Sequence, residues 1–284
     1  MAALVMVLGH AMNPVAAAEV GVVADYRPAN GRFAFTRPPH GELVPVMIGT
    51  IVVAGDRVKL DTGDSITVQL GNDEVARFRG PGDFRVPHGR PLGRLAAIFH
   101  SLPELFNDTH GWTGTAVSRG GVVDCGMSGY QPEPITVPAL APGARVAAGR
   151  RGLPLAWHGG CPPFAVTLLA GVISVAQRDS INAWQLRLDG LDLDAGRYTV
   201  HIVDSTGKRW EGAIEAVNQG PAIPADVAAD NSSLGRNAQA IYIAELDDGR
   251  WRLESIERLH ALVREGDPLA VALSDRLLWG STSR

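Results

Sequence analysis

Residues 51–86 read IVVAGDRVKLDTGDSITVQLGNDEVARFRGPGDFRV, a series of short apolar runs separated by polar turn residues. The separators are Gly-Asp, Thr-Gly-Asp, Asn-Asp and Pro-Gly-Asp, all of which favour tight turns. Between these turns, apolar and polar residues alternate, as they do in strands that bury one face. The segment therefore predicts several short antiparallel strands. It contains no nucleophile motif, metal-ligand cluster or phosphate-binding loop.

The composition is that of a globular, turn-rich β protein. The chain has 284 residues, enough for two ordinary domains with their own cores, and 45% of them are hydrophobic while 20% are charged. It also has 33 glycines and 19 prolines. The net charge of -4 argues against nucleic acid as the main partner, because binding a phosphate backbone requires a basic face.

The first residues have the features of a secretory signal peptide over 1–18. Residues 4–8 form a short apolar core, and three alanines at 16–18 precede Glu19 as a small-residue cleavage site. A disordered apolar terminus is the alternative, because no Lys or Arg precedes Arg27. A stable membrane span is not expected, since the apolar run is too short to cross a bilayer. We therefore expect a periplasmic or secreted protein.

The remaining chain divides into five segments by composition and by the spacing of its apolar residues. They are an extended lead-in (19–42), a β domain with a following helix (43–106), an irregular linker (107–151), a β-sandwich (152–218), and a linker with a helical tail (219–284). The predicted fold class is mainly β, with a short helical hairpin at the C-terminal end.

The β-sandwich prediction comes from repeated alternation in residues 152–218. Apolar residues alternate with other residues around 153–157, 164–168, 184–188 and 198–202. The segment Asp204-Ser205-Thr206-Gly207 predicts a hairpin turn, after which the alternation resumes. Half-buried strands at this spacing are typical of a sandwich of two sheets.

Apolar residues at helical spacing predict helices in two regions. Residues 91–106 suit an amphipathic helix, which Pro103 is expected to kink or end. In the tail, residues 238–246 predict one helix and an apolar stripe over 251–263 predicts a second. The Asp-Pro pair at 267–268 predicts the start of a third, with Asp as N-cap and Pro at the first helical position.

The first β domain resembles the FecR-like periplasmic domain. The residues that carry the resemblance are the turn Gly55-Asp56-Arg57-Val58, the strand over 66–70, the turn Asn72-Asp73 and the strand over 78–86. The resemblance implies a secreted β module that senses, scaffolds or binds. Its key residues are turn and core residues, so it carries no catalytic residue over to this chain.

The second β domain resembles an immunoglobulin or fibronectin type III module. Leu155-Ala156-Trp157 lies near its start, and residues 193–200 match a corner of the form L-x-x-G-x-Y-x-V near its end. The resemblance implies a β-sandwich in which the tyrosine of this corner packs at a late strand.

Candidate site residues are few, and we predict no catalytic, cofactor-binding or metal-binding residue. Aspartates recur in the first β domain, and a calcium site or a carboxylate pair for glycoside chemistry is conceivable there. They are Asp56, Asp61, Asp64, Asp73 and Asp83. Each lies within two residues of a Gly or Asn at a predicted turn, where an aspartate bonds its own backbone, and this explains them without a function.

The chain has two cysteines and six tryptophans. In an oxidising compartment Cys125 and Cys161 are a possible disulfide between the linker and the second β domain, and two unpaired buried residues are the alternative. Trp112 lies in a glycine-rich segment and is a possible exposed contact.

Three functions follow from these features. The first is a non-enzymatic binding or scaffolding protein of the cell envelope, whose partner is another envelope protein or a cell-wall glycan. The second is a FecR-like periplasmic regulator of a membrane-bound signalling partner. The third is a hydrolase with a site built from loops, for example from Asp83, His88 and His110. No cofactor is expected, and the oligomeric state is left open.

Overall fold

A computed structural model describes residues 18–29, 34–38, 40–106, 125 and 133–280. In this part of the chain the structure is mainly β, as the sequence predicts. The strands form two modules, each built from two sheets, and a helical region near the C-terminal end contacts both of them. The predicted signal peptide falls on residues that lie almost entirely outside this description.

The first β module contains eight strands in two antiparallel sheets. They are β1 (Glu19–Arg27), β2 (Ala34–Arg37), β3 (Glu42–Pro45), β4 (Ile51–Val53), β5 (Arg57–Leu60), β6 (Ser65–Leu70), β7 (Val75–Arg79) and β8 (Gly82–Arg85). The β1 sheet has the strand order β4-β1-β6-β7, and the β2 sheet has the order β3-β2-β5-β8. Side chains such as Phe35, Val58 and Ile66 are buried in the core that the two sheets share.

The extended lead-in predicted for residues 19–42 is wrong, because this segment contains β1 and β2. β1 is a central strand with β4 and β6 on either side. Val20 and Val23 belong to the core of the first module, whereas Val22 and Ala24 belong to the core shared with the helices. Both faces of β1 are therefore buried, so its apolar residues run together and do not alternate with polar ones.

Two of the turn aspartates bond the backbone, as predicted. The buried carboxylate of Asp56 accepts a hydrogen bond from the Val53 N–H at 3.0 Å and pairs with the Arg37 guanidinium at 3.2 and 3.0 Å. The Asp64 carboxylate accepts from the Asp61 N–H at 2.8 Å. Asp83 does not fit this pattern, because it lies on the exposed side of β8 and not in a turn.

The second β module contains seven strands. They are β9 (Ala144–Ala147), β10 (Gly149–Ala156), β11 (Phe164–Ala170), β12 (Ile173–Ile181), β13 (Gln185–Leu193), β14 (Gly196–Val203) and β15 (Arg209–Val217). One sheet has the order β12-β11-β14-β15-β9, and the other consists of β10 and β13. The module thus begins at Ala144, and the irregular linker predicted for 107–151 is wrong over its last residues, where β9 pairs in parallel with β15.

The core of the second module is built around aromatic residues. The fully buried Trp157 lies edge-on to Phe164, with ring centroids 5.2 Å apart, and Phe164 in turn contacts Trp184. At the predicted corner, the Tyr198 hydroxyl donates to the backbone carbonyl of Asp194 at 3.0 Å. Burial of the ring and the nearby Asp194 charge raise the pKa of Tyr198. This contact fixes the turn that leads from β13 into β14.

The described part of the chain contains five α-helices. They are α1 (Leu95–Phe106), α2 (Ala225–Ala228), α3 (Ser233–Glu245), α4 (Arg252–Glu265) and α5 (Pro268–Trp279). α5 begins at its predicted start signal, where the Asp267 carboxylate caps it by accepting from the Ala270 N–H at 2.8 Å. α1 continues past Pro103, and α3 begins earlier than predicted because Ser232 caps it. None of the described helices has the length and apolar character needed to cross a membrane.

A continuous apolar core joins the helices to both β modules. α5 packs on β1 of the first module, α1 packs on α3, and α4 packs on β9 and β10 of the second module. One buried cluster therefore extends from Val22 and Phe99 through Leu259 to Leu155 and Val200. The tail is neither a free appendage nor a hairpin on one sandwich, because both of its sides are covered by sheet.

Buried charges align α4 on the second module. Glu254 accepts from the Arg151 guanidinium at 2.7 Å and from the Ala147 N–H at 3.0 Å. Burial alone would raise the pKa of the Glu254 carboxyl, but the Arg151 charge and the hydrogen bonds outweigh it, so the pKa is lowered. One turn further along α4, Glu257 pairs with Arg187 of β13 at 2.6 Å.

The Tyr198 corner gives a testable stability effect. Tyr198→Phe removes only the hydroxyl that bonds the Asp194 carbonyl, and we expect it to lower the free energy of unfolding by about 1 kcal/mol. Urea denaturation of the full chain measures this change. Tyr242→Phe in α3 is the matched control, because the Tyr242 hydroxyl makes no hydrogen bond with the described chain. Equal losses in the two variants would show that the corner contributes nothing specific.

Candidate functional site

The residues considered for a hydrolase site do not share a hydrogen-bond network in the described structure. Asp83 is exposed on β8, and His88 is exposed in the segment that leads to α1. Neither side chain makes a hydrogen bond or ion pair with a described residue. His110 lies outside the described residues. Within the described ranges, no group of three or more His, Cys, Asp or Glu side chains is placed to hold a metal ion.

The two cysteines are joined in the structure, where the sequence left their pairing open. The sulfur atoms of Cys125 and Cys161 are bonded, and their Cα atoms are 6.0 Å apart. Cys161 is buried in the segment between β10 and β11. The bond therefore attaches Cys125 to the second β module. Trp112, the possible contact residue, lies outside the described residues.

Asp204 holds the Cys161 turn against the β14–β15 hairpin. One oxygen of its buried carboxylate accepts from the Thr206 N–H and hydroxyl and from the Lys208 N–H, at 2.7 to 2.9 Å. The other accepts from the Cys161 N–H at 3.1 Å. Burial alone would raise the pKa of Asp204, but these hydrogen bonds outweigh it and the pKa is lowered. Asp204 is thus an anchoring residue whose two carboxylate oxygens both accept structural hydrogen bonds.

An open cleft of about 500 Å³ lies where the first module meets the helical region. We call it the junction cleft. Its lining comes from the β6–β7 turn, the segment before α1, helix α2 and the α2–α3 connection: Asp73, Arg90, Asp226, Ala229, Asp230, Asn231 and Ser232. Three carboxylates near one arginine give this cleft its polar character.

Each carboxylate of the junction cleft has a structural partner. Asp73 accepts from the Ser233 N–H at 2.7 Å and so bonds the first turn of α3. Asp226 pairs with Arg94 at 2.6 Å, across from the start of α1. Asp230 accepts from the Ser232 hydroxyl at 2.5 Å and from the Ser232 N–H at 3.0 Å, and these hydrogen bonds lower its pKa. The junction cleft therefore serves to join the module to the helices.

β12 is a different kind of surface, because most of it faces solvent. Seven of its nine positions are exposed. Val172, in the turn before it, is 97% exposed, Ile173 is 70% exposed and Val175 is 37% exposed. Contiguous exposed aliphatic residues on a folded domain typically mark a contact surface.

The backbone edge of β12 is also open. Within the described residues β12 pairs with β11 alone, so its outer N–H and C=O groups have no strand partner. The opposite sheet has two strands against five. Exposed edges of this kind can accept a strand from another chain. We call Val172 together with β12 the edge surface.

Sequence reasoning did not find the edge surface. Alternation between apolar and polar residues signals a strand with one buried face, and β12 has two exposed faces. The remaining signal is the short apolar run at 172–175 directly after Gly171. A run of this kind is equally consistent with a buried strand, so only the structure reveals its exposure.

Comparison with known proteins gives little further information. No protein-family model matches the chain, and no curated protein matches it. Among solved structures, the chain is similar to the crystal structure of CopC from Methylosinus trichosporium OB3b, at 22% sequence identity. The alignment covers 29% of this chain and 91% of that one, with a TM-score of 0.22. A score this low carries no argument about this chain, and the FecR-like resemblance stays a prediction.

The lowered pKa of Asp204 predicts an acid-dependent stability. Its carboxylate stabilises the fold fully above its unfolded pKa of about 3.9, and this contribution is lost as the pH falls through the lower folded value. In Asp204→Asn, one side-chain position becomes an N–H₂ group, which cannot accept a hydrogen bond, and the other becomes a neutral and weaker acceptor. The N–H donors of Cys161 and Thr206 therefore lose part of their bonding. We expect the variant to be less stable near neutral pH and less sensitive to acid than the wild type.

Urea unfolding between about pH 3 and pH 7 measures both effects of Asp204→Asn. Asp83→Asn is the control, since the exposed Asp83 side chain has no partner in the described structure. Wild-type and Asp204→Asn curves that run parallel across this pH range would contradict the role given to Asp204.

The disulfide closes a loop with a sequence separation of 36 residues. Replacing Cys125 and Cys161 with serine removes this constraint from the unfolded chain, and the loop-entropy relation then predicts a loss of about 4 kcal/mol in unfolding free energy. Thiol titration before and after reduction checks that the bond exists. Reduced wild type should match the double variant in urea denaturation, and an unchanged midpoint in both would contradict the prediction.

Proposed function

We propose that this protein is an exported protein of the cell envelope with a binding or scaffolding role, and that it contacts a protein partner through the edge surface. The observation that carries the proposal is the exposure of Val172, Ile173 and Val175 beside an open strand edge. Export is supported by the signal-like first residues and by the Cys125–Cys161 disulfide, because disulfides persist in oxidising compartments.

A strand of the partner would pair with β12. Strand addition satisfies the outer N–H and C=O groups of β12 through main-chain hydrogen bonds, while side-chain contacts give specificity. The aliphatic residues at the start of the edge surface would then be covered. Arg178 and Asp179, further along β12, are exposed and charged, which limits indiscriminate pairing of this edge.

A scaffolding role is supported by the way the modules are joined. The apolar core continues from the first β module through the helices into the second. A partner bound at the edge surface would therefore be held in a fixed position relative to the first module. A catalytic role has less support, because the buried acids Asp56, Asp204 and Glu254 are all engaged in structural bonds.

Capture from an envelope fraction tests the proposed function. The full chain is immobilised, incubated with solubilised envelope proteins and, separately, with isolated cell-wall material, and the bound partners are identified. We expect a partner protein to be retained in the first experiment. Retention of no protein and no wall material would contradict a binding role.

Charge introduced into the edge surface should abolish that capture. In Ile173→Lys/Val175→Lys, two lysines occupy positions that would become buried in the complex. Burial of one large aliphatic side chain contributes about 1.5–3 kcal/mol to the binding free energy. We therefore expect the amount of captured partner to fall at least about tenfold. Val271→Lys is the control, since Val271 is an exposed aliphatic residue on α5. A partner that binds all three proteins equally does not use β12.

A further inference from the structure

The strand register of the β2 sheet places two arginines directly opposite each other. Arg57 of β5 pairs with Arg85 of β8, and Thr36 of β2 pairs with Arg57 on the other side. Thr36 also pairs with Leu43 of β3. These four residues therefore form one row across all four strands. Opposite residues in antiparallel strands have Cα atoms about 4.5–5.5 Å apart, so the two arginine side chains start from neighbouring points.

The row lies on the outer face of the β2 sheet. The residues next to it along the strands, Phe35, Val58 and Phe84, point into the core of the first module or pack against it. All four residues of the row are exposed, and Leu43 is 69% exposed. In the neighbouring outward row, Lys59 is opposite Asp83 and both are exposed. We call this face, with Arg57, Arg85, Lys59, Thr36 and Leu43, the arginine face.

The cations of the arginine face have no anionic partner in the described structure. Arg57, Arg85 and Lys59 take part in no ion pair and no hydrogen bond there. By contrast, Arg37 has a carboxylate partner in Asp56, and Arg151 has one in Glu254. Like charges directly opposite each other in a sheet are destabilising. An anion bound between them would remove this repulsion.

The geometry favours a phosphoryl group over a carboxylate. One guanidinium in a bidentate pair occupies both oxygens of a carboxylate, whereas a phosphoryl group has further oxygens for a second guanidinium. Arg85 is also supported from below, because its guanidinium lies against Gly55, where a Cβ would be 3.0 Å from Nη2. A side chain at position 55 would displace it. Because Arg57 and Arg85 occupy directly opposite backbone positions, both side chains are long enough to contact one phosphoryl group.

We propose that the arginine face binds a phosphodiester-bearing glycan of the envelope, with Arg57 and Arg85 holding one phosphoryl group. This rests on the proposed function, which supplies the compartment. In the neighbouring row the charge of Lys59 is balanced by the opposite Asp83, so the two arginines supply the net positive charge of the face. The Thr36 hydroxyl offers a hydrogen bond further along the row. Leu43, at the far end, offers an apolar contact for a sugar or polyol unit. The row spans about 14 Å at the strand spacing of about 4.8 Å, which suits an extended polymer.

Binding of a synthetic glycerol-phosphate oligomer to the full chain tests the proposal by calorimetry. We expect the wild type to bind, and Arg57→Glu/Arg85→Glu to lose at least about tenfold in affinity, because charge-assisted hydrogen bonds are the strong ones. Arg57→Lys/Arg85→Lys keeps the charge but not the bidentate fork, and it should bind with intermediate affinity. Binding by the wild type should weaken as salt is raised.

The matched control is Arg77→Glu/Arg79→Glu on β7 of the β1 sheet. These two arginines are exposed and have no ion-pair partner in the described residues, so the charge change is the same while the face differs. We expect the control to bind within about twofold of the wild type, because Arg77 and Arg79 lie on a strand of the other sheet and outside the row that holds the phosphoryl group. Equal losses in both double variants would overturn a local site.

Two further binding measurements distinguish a phosphodiester glycan from other anionic ligands. Vesicles containing phosphatidylglycerol that bind while the soluble oligomer does not would overturn the glycan in favour of a membrane surface. Polyglutamate that competes as well as the oligomer would overturn the phosphoryl assignment. Should the glutamate variants fail to fold, Arg57→Thr and Arg85→Thr replace them. Each removes one of the opposed charges, so we expect weaker binding with an unchanged or higher urea midpoint.

The proposal and the proposed function fail in different ways. If the wild type and Arg57→Glu/Arg85→Glu retain the same envelope proteins and wall material and neither binds the oligomer, the arginine face is refuted and the scaffolding role stands. If the wild type binds the oligomer through the arginine pair but retains nothing from the envelope, the site stands and the envelope role is refuted.

Discussion

The carboxylate of Asp267 is the contact on which the arrangement of the chain depends. It caps α5 through the Ala270 N–H, accepts from the Asn237 amide of α3 at 3.2 Å and accepts from the Gln69 amide of β6 at 2.6 Å. Two helices and the first β module thus meet at one buried group. Burying a carboxylate is unfavourable in free energy unless N–H donors satisfy it. The Asp267 carboxylate therefore depends on donors from all three elements.

The opposite side of the helical region is held in a similar way. Glu254 and Glu257 of α4 reach buried or half-buried arginines on β10 and β13. Buried ion pairs add little net stability, because desolvation offsets their attraction, but a mismatched pair is strongly unfavourable. We therefore infer that the Glu254 and Glu257 ion pairs fix the orientation of α4 on the second module. The apolar core supplies most of the stabilising free energy of this packing. Asp267 and Glu254 together fix the helices relative to both modules.

The sequence predicted the strands that bury one face and missed those that do not. β6 and β11 alternate apolar with other residues and were identified, as was the Tyr198 corner. β1 is buried on both faces and β12 is exposed on both, so neither alternates and neither was found. The Asp-Pro start of α5 could be predicted because helix capping depends only on residues adjacent in the sequence. The arginine face could not be predicted. Arg57 and Arg85 lie opposite each other only because of the strand register, which the pattern of a single sequence does not specify.

The core shared by the two modules has a mechanical consequence. Tandem β domains are commonly joined by flexible tethers, whose end-to-end distance varies with the square root of their length. Here packed helices with buried polar contacts on both sides take the place of such a tether. If the edge surface and the arginine face are both occupied, the chain sets a constant interval between the two bound partners. A force applied to one partner would then be transmitted to the other through packed structure, without first extending a flexible linker.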